Sequence, residues 1–194
     1  MVPRPLSDAA APRRGLDGLV IRRGTDADLT RVVELLALGA VPGTREEQRA
    51  EPEQYRNALR EIDRSGSVLL VADLDGEVVG TCQLIVFRHI QAGGGRCAEI
   101  ESVHVHPELR GHGVGTTLMR HAVERARALG CYRVQLTSNT VRDDAHRFYE
   151  SVGFSPTHIG FKLSLDKLPA PPAAPLPRGL HEEIPVQPRL PPAA

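Results

Sequence analysis

The seven residues "RGHGVGT", 110–116, place three glycines at alternate positions between a strand-like and a helix-like stretch. Glycine weakens regular structure, so a cluster at such a junction points to a backbone that must turn sharply or be approached closely. A turn of this kind can hold a phosphate. The glycines let the main chain come near, the unpaired N–H groups of the helix start face the oxygens, and the helix dipole adds attraction. Arg110 stands at its edge as a further cationic donor. Neither common nucleotide pattern fits. The Walker turn needs Gly-Lys-Ser/Thr, and here Gly115 is followed by Thr116. The dinucleotide turn needs G-x-G-x-x-G and an acidic residue on the following strand, but this turn is G-x-G-x-G and "CYRVQLTS" has no acid. By itself the cluster is equally compatible with a plain tight turn.

Two carboxylates precede it. Glu99 and Glu101 sit in "CAEIESVHVHP", 97–107, an otherwise apolar strand where burying a charge is costly. A spacing of two puts both side chains on one face, together with Val103 and Val105, unless a bulge intervenes. They line an exposed face or they bind a cation or a proton. His104 and His106 have a metal-like H-x-H spacing with no third ligand in view, and no metal is assigned. Cys82, Cys97 and Cys131 are too far apart for a zinc or redox motif and read as reduced thiols.

Several elements must position these groups. "GLVIRR" (18–23) is a short strand. "TDADLTRVVELLAL" (25–38) is a helix capped by Thr25 or Asp26, with Leu29, Val32, Val33, Leu35 and Leu36 at helical spacing. "TREEQRAEPEQYRNALREIDRSG" (44–66) is polar and helical, broken at Pro52 and ended by Gly66. "SVLLVAD", the turn "LDGE" and "VVGTCQLIVF" form a hairpin. After the glycine turn, Val114, Leu118, Ala122, Val123, Ala126 and Leu129 mark one helix face. "CYRVQLTS" (131–138) is a strand, "DDAHRFYESVG" (143–153) a helix, and "IGFKLSL" (159–165) a final strand. The order predicts a mixed α/β fold with one parallel crossover around the glycine turn.

Composition narrows the partners. With 24 basic and 24 acidic residues the chain has no net charge to attract nucleic acid or a charged membrane. The N-terminal stretch lacks the apolar core of a signal peptide, and no apolar run approaches the ~20 residues of a membrane span, so a cytoplasmic location is expected. Residues 1–17 and 167–194 read as disordered extensions, the second holding nine of the 16 prolines. The domain is expected to occupy 18–166.

"VHVHPELRGHGVG" resembles the acyl-CoA pyrophosphate loop of the GNAT superfamily of N-acetyltransferases, R-G-x-G-x-G after a strand. "DAHRFYESVGF" resembles that superfamily's second motif, an Ala, then Tyr four residues on, then Gly-Phe. The resemblance covers 18–166 and implies a mainly antiparallel sheet flanked by helices, with acetyl-CoA as acetyl donor and a primary amine of a small molecule as the expected acceptor. It implies a diphosphate cradle from Arg110, Gly111, His112, Gly113, Val114, Gly115 and Thr116, and a strand edge at Val103 and Val105 that pairs with pantetheine. It makes Tyr149 the acid for the departing thiolate. It makes Glu101, ahead of Glu99, the base for an amine whose pKa near ~10.4 leaves it almost wholly protonated at neutral pH. Where the superfamily often has Asn, this chain has Arg142, with Asn139 three residues earlier; either is a cofactor contact candidate. A non-catalytic acyl-CoA-binding module, a protein-modifying enzyme and a homodimer are the other readings carried forward.

Overall fold

In the computed structural model the described residues are 16–42 and 50–165. The extensions 1–15 and 166–194, and the start of the polar helix segment at 44–49, lie outside them.

Five strands form one sheet in chain order: β1 (Leu19–Arg23), β2 (Val68–Leu74), β3 (Glu77–Arg88), β4 (Arg96–Val105) and β5 (Cys131–Gln135). The first four run antiparallel, and β5 lies parallel to β4. The parallel pair requires a crossover, supplied by α3 (Val114–Ala128). Helices α1 (Leu29–Leu38) and α2 (Pro52–Arg64) precede β2, and α4 (Asp143–Ser151) follows β5. Pro52 opens α2 as its first residue, where its missing N–H costs nothing, and does not interrupt a helix among the described residues.

The two sheet faces bury different layers. Leu118, Met119, Ala122 and Ala126 of α3 pack on Val68, Leu70, Cys82, Leu84, Ala98 and Ile100. Val32 and Leu35 of α1 and Leu59 of α2 pack with Leu69, Val71 and Val78 on the other face. The β2–β3 turn has left-handed Asp75 (φ 53°) and Gly76 (φ 91°), the chemistry expected of "LDGE".

An ion network fixes where α1 starts. Arg22 of β1 donates both terminal nitrogens to Asp28 at 2.8 Å and its Nε to Asp73 of β2 at 2.8 Å. Thr25 donates its N–H and its hydroxyl to Asp28 Oδ2. Asp28 is buried. Chiefly through the Arg22 hydrogen bonds, its carboxyl is held down from 3.8 to about 2. A depressed carboxyl contributes stability that is present above pH 4 and lost as pH falls toward 2. Asp28→Asn should therefore lower stability by ~1–3 kcal/mol at pH 7 and by much less at pH 2, read by denaturant unfolding at both. Equal losses at the two pH values would contradict this.

One predicted element is absent. Residues 159–165 form no strand, and Ile159, Phe161, Leu163 and Leu165 are all exposed. Alternation marks a segment able to be a strand, but a strand also needs an edge to pair with, which alternation does not supply.

Candidate active site

Strand β4 parts from β5 midway. Their ladder runs from Arg96↔Cys131 to Glu99↔Gln135, whereas β4 continues six residues further, to Val105. Its later part is paired with β3 only, so its other side is an open edge among the described residues.

A bulge sits in the middle of that stretch. Thr81 pairs with His104, and Gln83 with Glu101, so three steps on β4 oppose two on β3. Ser102 takes up the extra residue with φ 54°, a left-handed conformation that costs a non-glycine residue ~1 kcal/mol or more. The bulge overturns the expected parity. Glu99 and Glu101 share the face opposite Ala98 and Ile100, but Val103 and Val105 now point to the α3 side. Val105 packs with Val114 there. His104 falls on the α1 side, where its ring occupies the space a Cβ at Gly39 would need. The bulge thus brings Glu99, Glu101 and His104 to one face. No rule of sequence spacing locates such a bulge, and His104 was legible only as half of an H-x-H pair.

The backbone of the open edge faces the gap. His106 donates its N–H to Val79 of β3 at 2.8 Å. Alternation along the strand then turns the polar groups of His104 toward β3 and those of Val103 and Val105 away from it. In keeping with this, the Val105 carbonyl accepts from Arg110 Nε at 3.2 Å. Arg110 thus closes the strand end and holds its guanidinium at the mouth of the turn.

The glycine turn runs directly into α3. Gly113 is the N-cap, left-handed at φ 98°, with no side-chain cap. The helical ladder opens with Thr117 N–H donating to the Gly113 carbonyl. Helix geometry therefore leaves the N–H groups of Val114, Gly115 and Thr116 aimed out of the helix start. Gly111 is left-handed at φ 76°, and a Cβ there would meet nothing within 4 Å. At Gly113 it would meet only Leu16, at 3.6 Å. Gly115 is different: its Cβ would lie 3.1 Å from Phe148 of α4, so this glycine serves helix packing. His112 contacts the Arg110 carbonyl through Nδ1 at 3.0 Å, and its ring is exposed.

Tyr149 comes from α4, half-buried, its ring against Phe148 and Phe154 at 5.4 and 6.3 Å between centroids. Burial pushes its phenol above the usual 10. Arg142 opposes that shift, while Cys82 and Glu101 add to it. Glu99 lies where β4 and β5 are still paired and accepts from Gln135 Nε2 at 3.3 Å. Of the two carboxylates, Glu101 is the one beside the gap.

Asn139 and Arg142 have local partners. The Asn139 side-chain oxygen accepts from Val141 N–H at 3.1 Å, shaping the turn into α4. Arg142 donates to the Gly39 carbonyl at 2.7 Å and so ties the start of α4 to the end of α1. Among the described residues no group of three His, Cys, Asp or Glu is arranged to hold a metal.

A five-stranded sheet that splays at β4–β5 over a glycine-rich helix start is a specific arrangement, and the family comparison agrees with it. Residues 32–154 match the model of the acetyltransferase (GNAT) family. The chain belongs to the GNAT family. An aminoalkylphosphonate N-acetyltransferase of Salmonella typhimurium is 36% identical over 91 residues, which are 47% of this chain and 58% of that protein. A glucosamine 6-phosphate N-acetyltransferase of Trypanosoma brucei brucei is 34% identical over 90 residues, 46% of this chain and 59% of that protein. The chain thus spans 58–59% of the length of these two curated relatives. A solved structure described as a transcriptional regulator from Bacillus halodurans C-125 is 38% identical with a TM-score of 0.69, covering 75% of this chain and 99% of that one.

In this GNAT chain the open β4 edge carries Glu101 just beyond the β5 ladder and leads through the glycine turn into the α3 start. The residues suit a long ligand with an anionic end and a peptide-like arm. Cβ-free backbone and outward N–H groups meet the first need, and the strand groups of Val103 and Val105 that face away from β3 meet the second. Among the described residues no helix is long and apolar enough to cross a membrane.

Proposed function

We propose that the protein is an acetyl-CoA-dependent N-acetyltransferase that acetylates a small primary amine by direct transfer in a ternary complex. The observation that carries this reading is the open β4 edge, which bears Glu101 beyond the end of the β5 ladder and leads through the glycine turn into the α3 start. Acetyl-CoA, when bound, supplies the activated acetyl group. The chain's own residues do the rest. Val114, Gly115 and Thr116 N–H groups, with Arg110, Gly111, His112 and Gly113 around them, hold the diphosphate. Val103 and Val105 offer the backbone pairing for pantetheine, and the edge N–H polarises the acyl carbonyl. Glu101 takes the proton that an alkylammonium must lose before it can attack. Tyr149 keeps its proton at neutral pH and can give it to a developing thiolate. A cytoplasmic setting fits this reading.

Both curated relatives are named for amines that also carry a phosphorus oxyanion. An aminoalkylphosphonate and an amino-sugar phosphate therefore head the substrate panel, beside an unsubstituted alkylamine and a peptide N-terminus. Release of free thiol from acetyl-CoA with a small amine is the expected result. Tight binding of acetyl-CoA without turnover on any amine would favour a sensing module, the reading that the regulator-like neighbour suggests. Turnover on the peptide alone would favour a protein-modifying enzyme.

The glycines give a separate test. Gly113→Val should weaken acetyl-CoA binding by about tenfold or more, because a branched Cβ enters the cradle and the left-handed φ is strained. Gly115→Val should instead lower the melting temperature first, by overpacking Phe148, at a cost of ~1–3 kcal/mol. Titration calorimetry and thermal unfolding separate the two. Unchanged cofactor affinity in folded Gly113→Val would count against the cradle.

A further inference from the structure

Strand β5 carries a bulge at its start. Arg96 pairs with Cys131 and Cys97 with Arg133, so one step on β4 opposes two on β5, and Tyr132 is the extra residue. The bulge changes the face. Cys131 packs with the α3 layer, as do Val134 and Leu136, while Arg133 and Gln135 turn to the other side. There Arg133 Nε donates to Cys97 Sγ at 3.2 Å, one row of the sheet before Gln135 donates to Glu99 at 3.3 Å. Arg133 thus shares a face with Glu99 and Glu101. The layer from α1 and α2 sits on Leu69, Val71 and Val78, and leaves Arg133 exposed and both carboxylates half-exposed.

Other arginines of this chain are neutralised where they stand. Arg22, Arg31, Arg56 and Arg147 each meet a carboxylate. Among the described residues no carboxylate bonds to Arg133. Its guanidinium meets the Cys97 thiol, the His89 ring, with Nε2 3.4 Å from Nη2, and the face of Tyr132, 5.4 Å from Cζ. Arginine can only donate, so His89 Nε2 accepts there and its ring is neutral. His89 is itself held against Phe87 and Tyr132, at 5.1 and 6.4 Å between ring centroids. These groups fix the plane of the fork without cancelling its charge. Nη1 and the second proton of Nη2 remain to grip an oxyanion in parallel, as arginine does with carboxylates and phosphates.

We propose that Arg133 binds an anionic group of the acceptor, and that the acceptor is an elongated zwitterion with its amine at Glu101 and a phosphate or carboxylate at its far end. This rests on the catalytic reading above and adds a substrate class to it. The rows set the length. Cys97, level with Arg133, and Glu101 are four residues apart on β4, on the order of 13 Å along the strand. Glu99 stands in the row between them and repels an anion that stops short. An ethyl spacer leaves the anion beside Glu99, whereas a hexyl spacer carries it to Arg133.

Steady-state thiol release with paired amines is the test. Aminohexyl phosphate should exceed hexylamine in kcat/KM by about tenfold or more, the worth of one charge-assisted hydrogen bond or better, mainly through KM. Aminoethyl phosphate should gain nothing over ethylamine. Aminohexanoate in the same series tells whether the fork takes carboxylate as well as phosphate. Arg133→Gln should remove the advantage of the long anionic amines, and Arg133→Lys, which keeps the charge and loses the fork, should keep part of it. A native chain without preference for either long anionic amine would overturn the proposal, as would a preference that survives Arg133→Gln; the native comparison decides alone should that variant not fold. If no amine at all is acetylated, the catalytic reading fails by itself and calorimetry decides this one. Aminohexyl phosphate should then bind the CoA-loaded native chain about tenfold or more tightly than hexylamine does. Equal affinity, or no binding of the phosphate, would overturn it.

Discussion

Tyr149→Phe should lower kcat by ~10²–10⁴, the usual worth of a positioned general acid, while acetyl-CoA affinity changes little. The substitution removes one oxygen and keeps the ring that packs against Phe148 and Phe154, so stability should hold and the loss can be read as chemistry. The pH profile adds a constraint. Burial first, then Cys82 and Glu101, raise the phenol above 10. A group with a raised value stays protonated through and beyond the neutral range. Loss of rate from ionisation of Tyr149 should therefore set in at higher pH than for an ordinary phenol. A native profile that falls between pH 8 and 9 from deprotonation of the enzyme would point to another acid. Full activity in Tyr149→Phe at neutral pH would remove the tyrosine from the mechanism and leave positioning as the source of rate.

Glu101→Gln should cost roughly 10²-fold in kcat near neutral pH and recover in part as pH rises. The sign follows from the substrate: an alkylamine with a pKa near ~10.4 sheds its proton to solvent as pH climbs and then no longer needs a base. Gln keeps the shape of the side chain and its place before the bulge, so a loss would report charge. Glu99→Gln should do less, because Glu99 is engaged by Gln135 in the paired part of β4. If Glu101 only gripped a cationic substrate, KM would rise with kcat unchanged. Steady-state kinetics of both variants from pH 6 to 10 separate these outcomes.

Much of this arrangement was legible in the residues. The glycine turn, the helix after it and the second motif are local patterns, and they place the α3 start and Tyr149 without knowledge of the rest. The mixed α/β fold with one parallel crossover followed from element order, and the mainly antiparallel sheet from the family resemblance. Three things were not legible. The bulge at Ser102 depends on how β3 and β4 fit together, and it reversed the face of Val103 and Val105. The role of Gly115 depends on Phe148, 33 positions later, lying across its Cα. The Arg142 bond to Gly39 joins residues 103 positions apart, a contact that no spacing rule encodes. The missing final strand has the same origin: alternation at 159–165 described the segment's own preference, and pairing is a property of two strands.

In the proposed complex one ligand engages both the open β4 edge and the α3 start. Titration of uniformly ¹⁵N-labelled protein with acetyl-CoA tests it most directly. The amide signals of Val103, Gly113, Val114, Gly115 and Thr116 should shift together along a single binding curve. Saturating acetyl-CoA that leaves these five amides unmoved, or moves only signals elsewhere, would contradict the account.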